Sequence, residues 1–236
     1  MNNGILIFIG VLLTMLWSWY GFVVNNFRTL GKVEPDTLLT GERYPTGRSG
    51  AQNQGQEVYR ANGCASCHTM QVRVKGNGAD IERGWGKRNT VLRDFLQDDH
   101  VFLGQVRVGP DLAGIGTRPY ATREWHLLHL WDPRSVVPNS LMPRYPYLFE
   151  VRKIRGGVPS RDALQLAPQF RHDVPEGSEV VPTAEANSLV TYLMSLQSDV
   201  GLFDAPVLTN RVASAAAPAA QTNETAETNA PAATNQ

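Results

Sequence analysis

Cysteine is nearly missing from this chain of 236 residues, which has only Cys64 and Cys67. Without a second C-x-x-C, a structural zinc site lacks its four ligands. Surplus charge is missing as well. The 22 basic and 22 acidic residues cancel, so nothing electrostatic points to nucleic acid or an anionic substrate. No Lys or Arg precedes the first apolar run and no small-x-small site follows it, which argues against a cleaved signal peptide. No internal repeat is visible, and no motif for a general acid or a nucleophile. Large apolar side chains stop at Val212, and a tail of Ala, Thr, Asn, Gln and Pro cannot support a core.

What is present begins with Gly4 to Val24, 21 residues without a charge. As a helix this run is about 31 Å long, enough to cross the hydrocarbon core of a bilayer. Trp17, Trp19 and Tyr20 gather near one end, at the level where amphipathic rings settle. The expected organisation is a transmembrane anchor (1–30), a Gly- and Pro-rich linker (31–51), a folded domain (52–204) and a disordered tail (205–236).

Helix punctuation is readable at three places in the domain. NQGQEVYRAN stops at Gly63. ATREWHLLHLWDP has Thr122 as N-cap and ends before Pro133, with Trp125, Leu128 and Trp131 available for one face. PTAEANSLVTYLMSLQ has Thr183 as N-cap and sets Ala186, Leu189, Val190, Leu193 and Leu196 at near-helical spacing. No alternating strand pattern competes. The expected fold class is mainly α, with long loops over 69–121 and 132–182.

The two cysteines lie in GCASCHTM, a C-x-x-C-H run completed by His68. This is the attachment sequence of c-type haem: two thiols add to the vinyl groups as thioethers and the histidine reaches the iron. A thioredoxin-like pair needs a β-α-β setting that is absent. A plain disulfide leaves His68 without a purpose.

A sixth iron ligand is expected from Met142, in the Pro-bracketed loop NSLMPRYP, 74 residues after His68. Met70 is too close to His68 to reach the opposite face, Met194 reads as core filler, and Met15 is in the apolar run. His126 and His129 compete for the iron but read more simply as hydrogen-bonded packing or interface groups. VGPDLAGIG resembles the loop of class I cytochromes c whose proline carbonyl, here Pro110, accepts from the ligating histidine's ring N–H.

Covalent haem attachment in bacteria takes place outside the cytoplasmic membrane. This decides orientation against Arg28 and Lys32, the two cations that follow the span and, by the positive-inside rule, would keep the domain in the cytoplasm. The N-terminus is expected to be cytoplasmic and the domain periplasmic.

The succession of apolar anchor, GCASCHTMQVR, VGPDLAGIGTR, EWHLLHLWDPRSVVPNSLMPRYPYL and a closing helix resembles the mono-haem subunit II of cbb3-type haem-copper oxidases over about residues 1–200. DPRSVVPNSLMPRYP carries most of that likeness. LGQVR keeps Gly104 and Arg107 but not the tryptophan expected before the GPDL turn, and residues 151–182 depart from the family.

The resemblance implies a class I cytochrome c-like domain with one covalent haem c. It also implies an electron relay from another cytochrome c to a catalytic subunit that reduces dioxygen, with no oxygen-reducing site in this chain. Arg73, Arg107, Arg118 and Arg144 are candidates for the haem carboxylates, with Arg73 and Arg144 preferred because they adjoin the two ligand loops. The small subunit of a nitric oxide reductase and a free-standing anchored shuttle share the layout.

Overall fold

The computed structural model describes residues 3–31, 33–104, 106–171 and 174–207. The disordered tail expected over 205–236 lies, beyond Val207, outside the described residues.

At the N-terminus, α1 (Gly4–Trp19) continues through a π-helical turn at Tyr20–Val24 into α2 (Asn25–Leu30). The continuous apolar helix, Gly4–Thr29, has 26 residues and a mean hydropathy of 2.0, which makes it long and apolar enough to cross a membrane. It runs five residues past the expected end, Val24, and the side chains of Asn26 and Thr29 in the added turn bond back to carbonyls one turn earlier. Asn26 Nδ2 donates to Phe22 O at 2.9 Å and Thr29 Oγ1 to Asn25 O at 2.7 Å.

Within the expected linker (31–51), residues 33–49 are docked on the domain and Gly50 and Ala51 begin the first domain helix. A short hairpin of β1 (Asp36–Thr37) and β2 (Arg43–Tyr44) lies against the domain. The Tyr44 hydroxyl donates to Asp94 at 2.7 Å, Arg48 pairs with Asp98 at 2.5 Å, and Arg93 donates to the Glu34 carbonyl. Beneath the hairpin, Arg88 is fully buried and forks onto both Asp94 oxygens at 2.6 and 2.8 Å. This segment is a docked strap. Polar composition hid it, since each anchor is an ion pair or hydrogen bond to a residue some 50 or more positions away.

The core is built where α3 (Gly50–Ala61) crosses α5 (Ala184–Ser195). α3 starts with a reciprocal cap, Ser49 with Gln52, and hands over to Gly63 in the left-handed region, as its sequence requires. α5 begins at the Thr183 cap and buries all of Ala186, Leu189, Val190, Leu193 and Leu196. Met194 is 38% exposed, which corrects its reading as core filler: it sits one position off the buried stripe.

The two helices approach so closely at Gly55 that an added Cβ would lie 2.0 Å from the Ser188 carbonyl oxygen and 2.7 Å from Tyr192 Cβ. Gly55→Ala is therefore expected to force the helices apart at a cost of about 3 kcal/mol, the upper end for overpacking. Thermal unfolding should show it as a drop of about 6–12 °C.

α4 (Arg123–Trp131), capped by Thr122, buries His126, Leu127, Leu130 and Trp131. The expected face is corrected by one residue: Leu127, not Leu128, is at its centre, and Trp125 is only half-buried. Two strands not foreseen from the sequence, β3 (Phe149–Lys153) and β4 (Ser178–Pro182), pair antiparallel from Phe149↔Pro182 to Lys153↔Ser178. β4 is buried along its length and β3 is exposed beyond Phe149, so β3 covers β4 from the solvent side. The alternation in FEVRK is masked by charge on both faces. Helices remain the longest elements, and the mainly α class stands in that coarse sense.

Candidate functional site

Gly63 ends α3 and turns the chain into a single 3-10 turn, Cys64–Ser66. Both Cys67 N and His68 N donate to Cys64 O, at 3.1 and 3.0 Å, which gathers the two thiols and the imidazole on one turn. Burial pushes the Cys64 thiol up to about 11, so it is a neutral thiol at ordinary pH.

The turn is then zipped to the loop at 109–113. Gly109 N donates to Cys67 O at 3.0 Å, and Leu112 N donates to Thr69 O at 2.8 Å. Asp111, completely buried, accepts from Thr69 Oγ1 at 2.5 Å, Gln71 N at 2.7 Å and Ala113 N at 2.9 Å. Arg107 closes the arrangement between Asp80 and the Gln71 carbonyl.

This zipper places Pro110 O 2.8 Å from His68 Nδ1. A carbonyl can only accept, so Nδ1 carries the proton and Nε2 keeps its lone pair. Burial lowers the affinity of the ring for a second proton. Gly109 makes the arrangement sterically feasible: an added Cβ would meet His68 Cε1 at 2.3 Å and Nδ1 at 2.7 Å.

α4 and the loop after it present a different set. Asp132 accepts from Arg134 N at 3.0 Å, Tyr145 N donates to Leu130 O at 2.9 Å, and Met142 N donates to Ser140 Oγ at 3.3 Å. These bonds fold the Pro-rich loop back so that Met142 and His68 line one cavity of about 80 Å³. Leu112, Ile115, Leu130, Leu189 and Leu193 make most of the wall, with Cys64 at one edge.

Three buried nitrogens at this cavity have no hydrogen-bond partner: Arg118 Nε, His126 Nε2 and His129 Nδ1. Burial brings both helix histidines down to about 4, so they are neutral at pH 7. The expectation that they are hydrogen-bonded packing groups does not hold for these two nitrogens. His129 instead stacks on Trp125, with ring centroids 4.7 Å apart.

The arginines fall out differently from their order in the sequence. Arg73 sits beside Gln71, Asn77 and Asn89 in a separate polar hollow, and its backbone N–H donates to Asp80 at 2.7 Å. Arg144 lies over the Trp131 ring at 5.4 Å, with its Nε 3.6 Å from Asp132. Neither lines the cavity; Arg118 does. Proximity in sequence to a ligand loop is not proximity to what the loop encloses. Asp111, Asp80 and Arg88 carry much of the site's framework; Asp111 lies in the VGPDLAGIG motif, whereas Asp80 and Arg88 show in the sequence only as charged residues in Gly-rich loops.

An apolar cleft bounded by a turn of two thiols, an imidazole lone pair, a thioether and orphaned donors is built to receive a large, flat, mostly apolar group that also presents acceptors. The comparison with protein families agrees. Residues 46–161 match the family described as Cytochrome C oxidase, mono-heme subunit/FixO, a segment holding Cys64, Cys67, His68, Pro110, Arg118 and Met142. No curated protein matches the chain. The chain is a subunit of a cytochrome c oxidase complex and holds one haem. It belongs to the FixO family, subunit II of the cbb3-type oxidases. α5, which supplies Leu189 and Leu193 to the cavity, lies beyond the matched residues.

Proposed function

We propose that the chain is the electron relay of a cbb3-type oxidase, taking electrons from a cytochrome c and passing them to the catalytic subunit that reduces dioxygen. Its domain is read as class I cytochrome c-like, tethered by the N-terminal helix in the bacterial cytoplasmic membrane and facing the periplasm. The observation that carries the reading is the His68–Pro110 bond in the apolar cavity that Met142 also lines.

When bound, haem supplies an iron that changes by one electron. The residues supply the rest. Cys64 and Cys67 would hold the porphyrin as thioethers, and His68 Nε2 and Met142 Sδ would hold its iron. Pro110 fixes the imidazole plane and makes the ring a stronger donor. Asp111 clamps the segments on both sides of that bond, so the ring need not turn when the charge changes. Leu112, Ile115 and Leu193 exclude water, which limits solvent rearrangement, and the thioether favours the reduced state. One-electron transfer needs no general acid or nucleophile, in line with the sequence.

Denatured full-length protein should keep its haem and stain for haem-linked peroxidase activity on a gel; haem wholly extractable by acid acetone would exclude thioethers. In detergent extracts, a haem-copper oxidase catalytic chain should co-purify. Recovery with a nitric oxide reductase catalytic chain, or with no partner, would move the reading to one of the two rivals. Met142→Ala should keep its haem, lose the sulfur-to-iron charge-transfer absorption, and show at least a tenfold shift toward the oxidised form, about 59 mV for one electron. The same spectral loss in Met194→Ala would instead assign the ligand to Met194.

A further inference from the structure

The cavity is lopsided. Its wall is mostly apolar, yet it also carries Arg118, His126 and His129, each with one buried nitrogen that has no partner. Arg118 is held like a tool in a clamp: its Nη2 donates to Trp85 O at 3.0 Å and to the Asp111 carbonyl, which leaves Nε as a buried donor without an acceptor. His126 is 4% exposed, and its Nε2 is also buried and unpartnered. Both side chains line the same cavity.

No aspartate or glutamate lines the cavity among the described residues. The nearby Asp111 carboxylate is spent on Thr69, Gln71 and Ala113. A buried donor without a partner costs about 1–3 kcal/mol, and more for a charged group, so unpartnered buried nitrogens around one cavity imply an acceptor that arrives with the ligand.

We infer that Arg118 and His126 form the carboxylate-holding end of the cavity, receiving an ionised propionate of the haem through Arg118 Nε–H and His126 Nε2–H. The inference rests on the haem reading above and goes further by fixing which end of the group faces which wall. It replaces Arg73 and Arg144 in that role. A guanidinium held by two carbonyls is positioned before the ligand enters, so little side-chain freedom is lost on binding. Its positive charge, next to the carboxylate and inside an apolar wall, favours the reduced haem.

The test is redox-difference infrared spectroscopy on full-length holoprotein carrying haem labelled with carbon-13 at its carboxylates. Arg118→Gln and His126→Gln should each shift the labelled carboxylate bands, while Arg73→Gln and Arg144→Gln leave them in place. Arg118→Gln should also shift the oxidation equilibrium at least tenfold toward the oxidised form, about 59 mV, and Arg118→Lys should recover at least half of that.

If Arg118→Gln yields no holoprotein, Arg118→Lys still serves: it keeps the charge but loses the fixed Nε–H, and the bands must move. Unmoved bands in the Arg118 or the His126 variant overturn the inference, as do bands that answer to Arg73 or Arg144. Covalent haem with an intact Met142 charge-transfer band in the same samples shows that the haem reading stands even if this one fails.

Discussion

If the proposed function holds, the haem is expected to stay attached in Gly109→Ala while His68 leaves the iron. The new Cβ would sit 2.3 Å from His68 Cε1, 2.7 Å from Nδ1 and 2.9 Å from Nε2, edge-on against the whole ring. Neither partner can retreat easily. Gly109 N is bonded to Cys67 O, and the next residue supplies the carbonyl that holds Nδ1. The ring must swing away, breaking the bond to Pro110, at an overpacking cost of about 1–3 kcal/mol.

The oxidised variant should change from low-spin to high-spin, read by electron paramagnetic resonance and visible absorption, while gel staining for covalent haem is unchanged. Gly47→Ala, whose Cβ would meet nothing within 4 Å, is the control and should match the parent protein. A low-spin Gly109→Ala spectrum with an unshifted potential would mean that the His68–Pro110 contact does not govern ligation.

Legibility from the sequence followed the range of the interaction. Thr122, Thr183 and Gly63 were readable because a cap is decided within four residues, and the α5 stripe because its period repeats along one helix. His68 and Pro110 could be paired across 42 residues only because both sit in motifs with a known spatial partner. Arg118 could not be preferred over Arg73 or Arg144 by any local rule. What singles it out is a pair of backbone carbonyls, Trp85 and Asp111, brought together by loops. The β3–β4 pairing joins segments 24 residues apart through backbone bonds that leave no mark on side-chain pattern. Met194 failed for a subtler reason, since a single step of 100° takes a residue from the buried stripe to its edge.

Asp94→Asn should be the most destabilising single change on the strap side of the molecule. Arg88 is fully buried and Asp94 nearly so, and they meet through two parallel bonds. Asp94 also accepts from Val91 N at 2.8 Å and from the Tyr44 hydroxyl. Removing one charge from such a pair leaves a guanidinium stranded in the interior, a loss of about 3–5 kcal/mol. The amide cannot accept at every position the carboxylate serves, so Tyr44 should release as well.

Two measurements follow: a thermal midpoint lower by about 6–20 °C for a domain of this size, and faster proteolysis within residues 38–43. Arg60, in an exposed pair with Glu57, gives the contrast, and Arg60→Ala should change stability by no more than about 1 kcal/mol. Unchanged proteolysis in Asp94→Asn would mean that Arg48–Asp98 and Arg93–Glu34 hold the strap without the Arg88–Asp94 pair.

The docked strap changes the length of the leash. α2 ends at Leu30, and the carbonyl of Glu34 is already held by Arg93, so four residues join the apolar helix to the body of the domain. Fully extended they reach about 14 Å, whereas an undocked segment to Ser49 could let the domain wander about 65 Å from the helix end. A tethered domain meets its neighbours at an effective concentration set by the volume it can sweep. Shortening the reach between four- and fivefold shrinks that volume by roughly two orders of magnitude. On the proposed reading, encounter with an acceptor anchored alongside would then be governed by how densely the anchors are packed in the plane of the bilayer, and dilution of the surrounding solution would have no purchase on it.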